Sequence, residues 1–106
     1  MAERSTADIV KFLEMRLRAA GLSDVRVVLF GSHALGAARA DSDLDVAIVS
    51  SAFSDRGAFE RALMTKDAEL EAMARFDAPF DILTLTPEEF DGDSLAAAFI
   101  KATSGR

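Results

Sequence analysis

The stretch Phe30-Gly31-Ser32-His33-Ala34-Leu35-Gly36-Ala37-Ala38-Arg39-Ala40-Asp41-Ser42-Asp43-Leu44-Asp45-Val46-Ala47-Ile48-Val49 decides how this chain folds. Val25 to Phe30 enters it as a β-branched, apolar run, the composition of a buried strand. Gly31 breaks that run. Ser32 to Ala38 can form a short helix with Ser32 near its N-terminus, and Arg39 to Ser42 is a polar loop. Leu44 to Ser50 reads as a second strand. Strand alternation puts Leu44, Val46 and Ile48 on one face and Asp45, Ala47 and Val49 on the other.

Working outward, Ser5-Thr6-Ala7-Asp8 has the hydroxyl and the following acid of a helix start. Ile9, Phe12, Leu13, Leu17 and Ala20 then recur at helical spacing until Gly21, a natural stop. Downstream, Ser51 to Gly57 is a loop. Phe59, Ala62, Leu63, Leu70 and Met73 mark the apolar face of one long helix to about Arg75, with charged residues on the opposite side. Pro79 to Leu85 is a third strand. Thr86-Pro87-Glu88-Glu89 combines a hydroxyl cap, a proline at the first helical position and an acid at the third. A further short helix is expected over Ser94 to Ala102, after the break at Asp91-Gly92-Asp93. Met15, Met64, Met73, Phe76 and Phe80 are core candidates. Helices and strands thus alternate along the chain. The expected fold class is α/β (α+β), a mixed sheet of about three strands flanked by helices, in a single domain covering residues 1–106.

Composition narrows the function. The chain has no Cys, so disulfides, thiolate metal sites and thiol chemistry are excluded. The net charge is −6, and no dense Lys/Arg cluster offers a polyanion a surface. Direct nucleic-acid binding is therefore not expected. The acidic balance suits a metal-dependent site, a basic protein partner or simple solubility. No signal-peptide run opens the chain, and no stretch approaches the ~20 apolar residues of a membrane span. The expectation is a cytoplasmic protein without a membrane role.

The chemistry sits around the opening stretch. Mg²⁺ takes hard oxygen ligands, usually one or two carboxylates with substrate phosphates and water. Asp43 and Asp45 stand at i and i+2, the spacing that turns two carboxylates to one face of a strand. Asp81 lies inside the third strand between Phe80 and Ile82, where an acid has little structural use. If strands two and three are neighbours, Asp81 joins the first pair, and the three acids call for a cation between them. Asp77 is the alternative third acid, although its place suits the end of the long helix. Gly31 removes a side chain where the backbone turns towards a phosphate. Ser32 adds a hydroxyl and an N–H at a helix start. Arg39 is the nearest cation for a phosphate, or else a surface ion pair with Asp41 or Asp43. His33 reads as an exposed helix residue or a weak cation beside the phosphates.

Gly31-Ser32, ten intervening residues and Asp43-x-Asp45 resemble the signature of the nucleotidyltransferase superfold shared with DNA polymerase beta. The small size resembles the minimal nucleotidyltransferase (MNT) group. The resemblance implies a small nucleotidyltransferase fold in which Gly31 and Ser32 hold the triphosphate of ATP. Asp43, Asp45 and Asp81 would then serve two Mg²⁺ ions, with Asp81 near the attacking hydroxyl. Many stand-alone members are similar to antitoxins paired with HEPN-type toxins, and several transfer AMP from ATP to a tyrosine of the toxin. One departure is Leu35, where the family often carries Arg; the missing cation would either weaken triphosphate binding or shift its role to Arg39. The expectation is a Mg²⁺-dependent transferase that AMPylates a partner HEPN-type toxin. The alternative is a non-catalytic antitoxin that neutralises its partner in a stoichiometric complex. The chain lacks Tyr, so an AMP–tyrosine linkage would lie on another protein, and a homo- or hetero-oligomer is compatible with either reading.

Overall fold

The computed structural model describes residues 6–31 and 43–104. The expected short helix over Ser32 to Ala38 and the loop after it lie outside them.

Helix α1 (Thr6–Ala19) buries Ile9, Leu13 and Leu17 at helical spacing. It ends as the sequence suggests. Gly21 turns left-handed at φ 109°, the Leu22 N–H donates to the Leu17 carbonyl at 3.0 Å, and the Gly21 N–H donates to the Arg18 carbonyl at 3.0 Å. These two bonds satisfy carbonyls that the last turn would otherwise leave open. The chain then enters β1 (Arg26–Phe30), and later β2 (Leu44–Val49) and β3 (Phe80–Leu85).

The sheet order is β1-β2-β3, with β1 antiparallel and β3 parallel to the central β2. This is the expected mixed sheet of three strands. The parallel pair needs a long crossover, and helix α2 (Ala58–Phe76) provides it. A 3₁₀ turn at Ser51–Phe53 precedes α2 and drives Phe53 into the core, although the sequence predicts only a loop there. Asp77 closes α2 in the left-handed region at φ 53°, the helix-end place that the sequence suggests for it.

The two faces of the sheet are covered unequally. Val27, Leu29, Leu44, Val46, Ile48 and Phe80 pack with α1, Phe53 and the inner side of α2. The other face holds the smaller group Phe30, Ala47, Val49 and Leu85 against Ile100. Ile100 belongs to α4 (Leu95–Ala102), reached through the short helix α3 (Pro87–Asp91). Both starts follow the sequence. Thr86 and Glu89 form a reciprocal capping box, and the Ser94 hydroxyl accepts the Ala97 N–H.

Helix α2 departs from expectation in the side it buries. Thr65, Ala68 and Ala72 face the core, with Met64, Met73 and Phe76 half-buried, whereas Phe59, Leu63 and Leu70 are exposed. Small side chains let the helix axis sit close to the sheet, which the larger ones would hold off. Arg61 is also on the inner side: its guanidinium lies 5.7 Å from the Phe53 ring centroid and pairs with Glu89 at 2.9 Å. Met15 is likewise exposed rather than in the core. No helix among the described residues is long and apolar enough to cross a membrane.

Candidate active site

The site forms at one end of the sheet, on the thinly covered face. Register decides it. Phe30 pairs with Asp45 across β1 and β2, and Asp45 pairs with Asp81 across β2 and β3. Partnered residues in neighbouring strands point the same way, so Phe30, Asp45 and Asp81 form one row. One step further along each strand's face, the row becomes Val28, Ala47 and Leu83, which belong to the apolar layer under α4. The face therefore changes from hydrocarbon to carboxylate at this end.

Asp45 is half-buried, and Asp43 and Asp81 are exposed. Asp43 lies immediately before β2, two residues from Asp45. Among the described residues no group of three or more His, Cys, Asp and Glu side chains converges as a ready metal cage. The sheet brings Asp45 and Asp81 together by register, with Asp43 at its mouth. Ser32 and Arg39, with His33, Leu35 and Asp41, lie outside the described residues.

Gly31 is built into this corner. Its φ of 77° belongs to the left-handed region. A Cβ added there would stand 2.3 Å from Asp45 Oδ2, so backbone and carboxylate occupy the space that any other residue would fill. The donors available are carboxylate oxygens, the hard ligands that suit a cation of the Mg²⁺ class, and this cradle leaves the Asp45 carboxylate lying against the turn. The residues present thus fit such a cation.

Two further groups were not foreseen from the sequence. Glu69 of α2 has its carboxyl pushed above the ordinary value, first by partial burial and then by the negative charge of Asp81. An acidic field of this kind favours a cation. The second is Thr103, at the end of α4. The Gly31 N–H donates to Thr103 Oγ1 at 3.0 Å, and the Thr103 hydroxyl donates to the Phe99 carbonyl at 2.7 Å. Phe99 meets Phe30 edge-on with ring centroids 5.9 Å apart. The tail of α4 is therefore fastened to the glycine turn from 72 residues away. A Thr four residues after Phe99 signals a bond back to its own helix, but nothing local ties it to Gly31.

The chain matches the nucleotidyltransferase domain family over residues 8–104. It belongs to that family. Members generally use a nucleoside triphosphate and a divalent metal, so general nucleotidyl transfer is the activity that membership supports. A crystal structure from Sulfolobus solfataricus, designated provisionally a nucleotidyltransferase, superposes with a TM-score of 0.53 at 24% identity, covering 80% of this chain and 73% of that one. That likeness concerns the fold. No functionally curated protein matches the chain.

Proposed function

We propose that this nucleotidyltransferase moves AMP from ATP to a hydroxyl of a partner protein, with the tyrosine of a HEPN-type toxin as the acceptor and antitoxin activity as the result. The observation that carries the site assignment is the register of Asp45 on Asp81 beside a glycine whose missing Cβ admits the Asp45 carboxylate. The acceptor class rests on the MNT resemblance; because the chain has no Tyr, a tyrosine acceptor would have to belong to another protein.

Each residue has a defined task. Asp43 and Asp45 would hold Mg²⁺, and Asp81 would share in a second ion. When bound, the cations neutralise charge on the triphosphate and on the attacking and leaving oxygens. Gly31 lets the backbone approach the phosphates, and Ser32 offers them its hydroxyl. Asp81 accepts the proton of the acceptor hydroxyl. The oxygen then forms its bond to the α-phosphorus of ATP, the α–β bridge breaks, and pyrophosphate leaves. Rate enhancement comes mostly from in-line positioning.

A second reading, neutralisation by complex formation alone, is favoured by the exposed Leu95 and Phe99 of α4, the helix whose end is bonded to Gly31. One experiment separates the two. Wild type and the Asp43→Asn/Asp45→Asn variant are incubated with α-labelled ATP, Mg²⁺ and source-cell lysate. Transfer predicts a discrete labelled protein band with wild type that falls more than about 100-fold in the variant. If no band forms with the partner present, and the variant protects cells as well as wild type, the non-catalytic reading stands.

A further inference from the structure

The outer side of α2 is a seam with no covering element. Phe59, Leu63 and Leu70 are 75%, 54% and 52% exposed. At 3.6 residues per turn they share one stripe with Lys66, Asp67 and Ala74, opposite Thr65, Ala68 and Ala72. Positions 59, 63, 66 and 70 alternate steps of four and three, the spacing of a helix-pairing seam. Single exposed apolar residues are ordinary on a protein surface; a continuous stripe along a helix calls for a partner.

The charges identify that partner. Lys66 and Asp67 stand next to each other at the middle of the stripe, both exposed. Neither makes an ion pair or hydrogen bond among the described residues. Placing a second copy of α2 antiparallel, about a twofold axis between positions 66 and 67, sets Lys66 against the second copy's Asp67 and Asp67 against its Lys66. The same operation sets Leu63 against Leu70 and Phe59 against Ala74, a large side chain on a small one. Moving the axis onto Lys66 opposes two lysines and puts Leu63 on Glu69. Moving it onto Asp67 opposes two aspartates and puts Leu63 on Glu71. A parallel pairing stacks Lys66 on Lys66. Of these four arrangements only the first satisfies both the apolar positions and the charges, and it is self-complementary, as a twofold dimer needs.

We propose that the outer face of α2 is an isologous, antiparallel dimer interface that takes a second copy of this chain. A 19-residue helix spans about 28 Å, and one helix pair buries less than the ~1,600 Å² of a standard stable interface. The dimer therefore dissociates on dilution. Asp45 and Asp81 lie on the sheet face that α2 does not cover, so the association leaves the candidate site open.

Sedimentation equilibrium over a wide range of protein concentration tests the proposal through four samples. Wild type should dimerise reversibly. Lys66→Asp and Asp67→Lys alone each create two like-charge contacts per dimer and should raise the dissociation constant about tenfold or more. The double exchange Lys66→Asp/Asp67→Lys should restore wild-type association, which also shows that the altered helix folds. Mixing the two single variants should yield a heterodimer, because that pair opposes only unlike charges. The proposal is overturned by a wild type that stays monomeric at every concentration. A dimer indifferent to all of these exchanges, or one lost instead through Phe99→Lys on α4, overturns it as well.

Discussion

Aspartates close both ends of this sheet, and the two ends use them in opposite ways. At the end where β1 begins and β2 finishes, Asp24 accepts from the Ser50 hydroxyl at 2.8 Å and from the Ser51 N–H at 3.0 Å. The Ser51 side chain foremost, then the Ser50 hydroxyl and the Ser51 N–H, hold its carboxyl down at about 2. At the other end Asp45 and Asp81 occupy one register position, and the charge of Asp81 reaches Glu69. A carboxylate that holds a structure is given donors. Carboxylates set beside one another raise the cost of their own charges, and the fold keeps that arrangement where a cation would reward it.

The largest test of this contrast is Gly31→Ala. The new Cβ would have to adopt φ 77° and displace the Asp45 carboxylate, which stands 2.3 Å from its position. The strain should cost about 1–3 kcal/mol in denaturant unfolding. Misplacing Asp45 should cost more in function, about 100-fold in nucleotidyl transfer. A variant that lost stability but kept full transfer would show that the glycine serves the turn alone.

Asp24→Asn and Asp81→Asn sharpen the comparison as a pair. Asp24→Asn should lower the thermal midpoint at neutral pH and leave transfer intact. Asp81→Asn should leave the midpoint unchanged or raise it and abolish transfer. The pH dependence follows from the depressed value of Asp24. Its folded carboxyl titrates at about 2 against an ordinary 3.8, so its stabilisation is complete above 3.8 and is lost as pH falls through about 2. The gap in midpoint between wild type and Asp24→Asn should therefore close on acidification across that window. A gap independent of pH would mean that packing, and not the carboxylate, clamps this end.

The sheet and the helix ends were legible because they depend on local chemistry. Gly21 and Asp77 end their helices, Thr86-Pro87-Glu88-Glu89 starts one, and the β-branched runs pair as strands. Alternation along β2 and β3 also placed Asp45 and Asp81 on one face once those strands proved to be neighbours. The orientation of α2 was not legible in the same way. Hydropathy locates a helix, but it assigns the core side to the largest apolar residues, and here Ala68, Ala72 and Thr65 take that side. The cue that survives is the spacing of four and seven between Phe59, Leu63 and Leu70, with a Lys-Asp pair between the last two, a seam pattern more than a core pattern. Phe53 was hidden by its loop-like neighbours, although a lone aromatic among Ser, Ala and Asp has few uses except to anchor the turn.

Thr103 was out of reach for a different reason, because its role exists only in three dimensions, and it supplies the smallest test. Thr103→Val keeps the shape and removes the hydroxyl that accepts the Gly31 N–H. The lost hydrogen bond should cost about 1 kcal/mol of stability. If Thr103 only fastens α4, the change should appear in the unfolding curve and leave KM for ATP untouched. If it sets the pose of the Gly31 turn, KM should rise severalfold while Thr103→Ser, which keeps the hydroxyl, stays near wild type. That outcome would extend the functional end of the sheet onto α4, a helix whose contribution to the site rests on one hydroxyl and the edge of one aromatic ring. The clamp at Asp24 has no such dependence, since its donors come from residues directly following its own sheet's central strand.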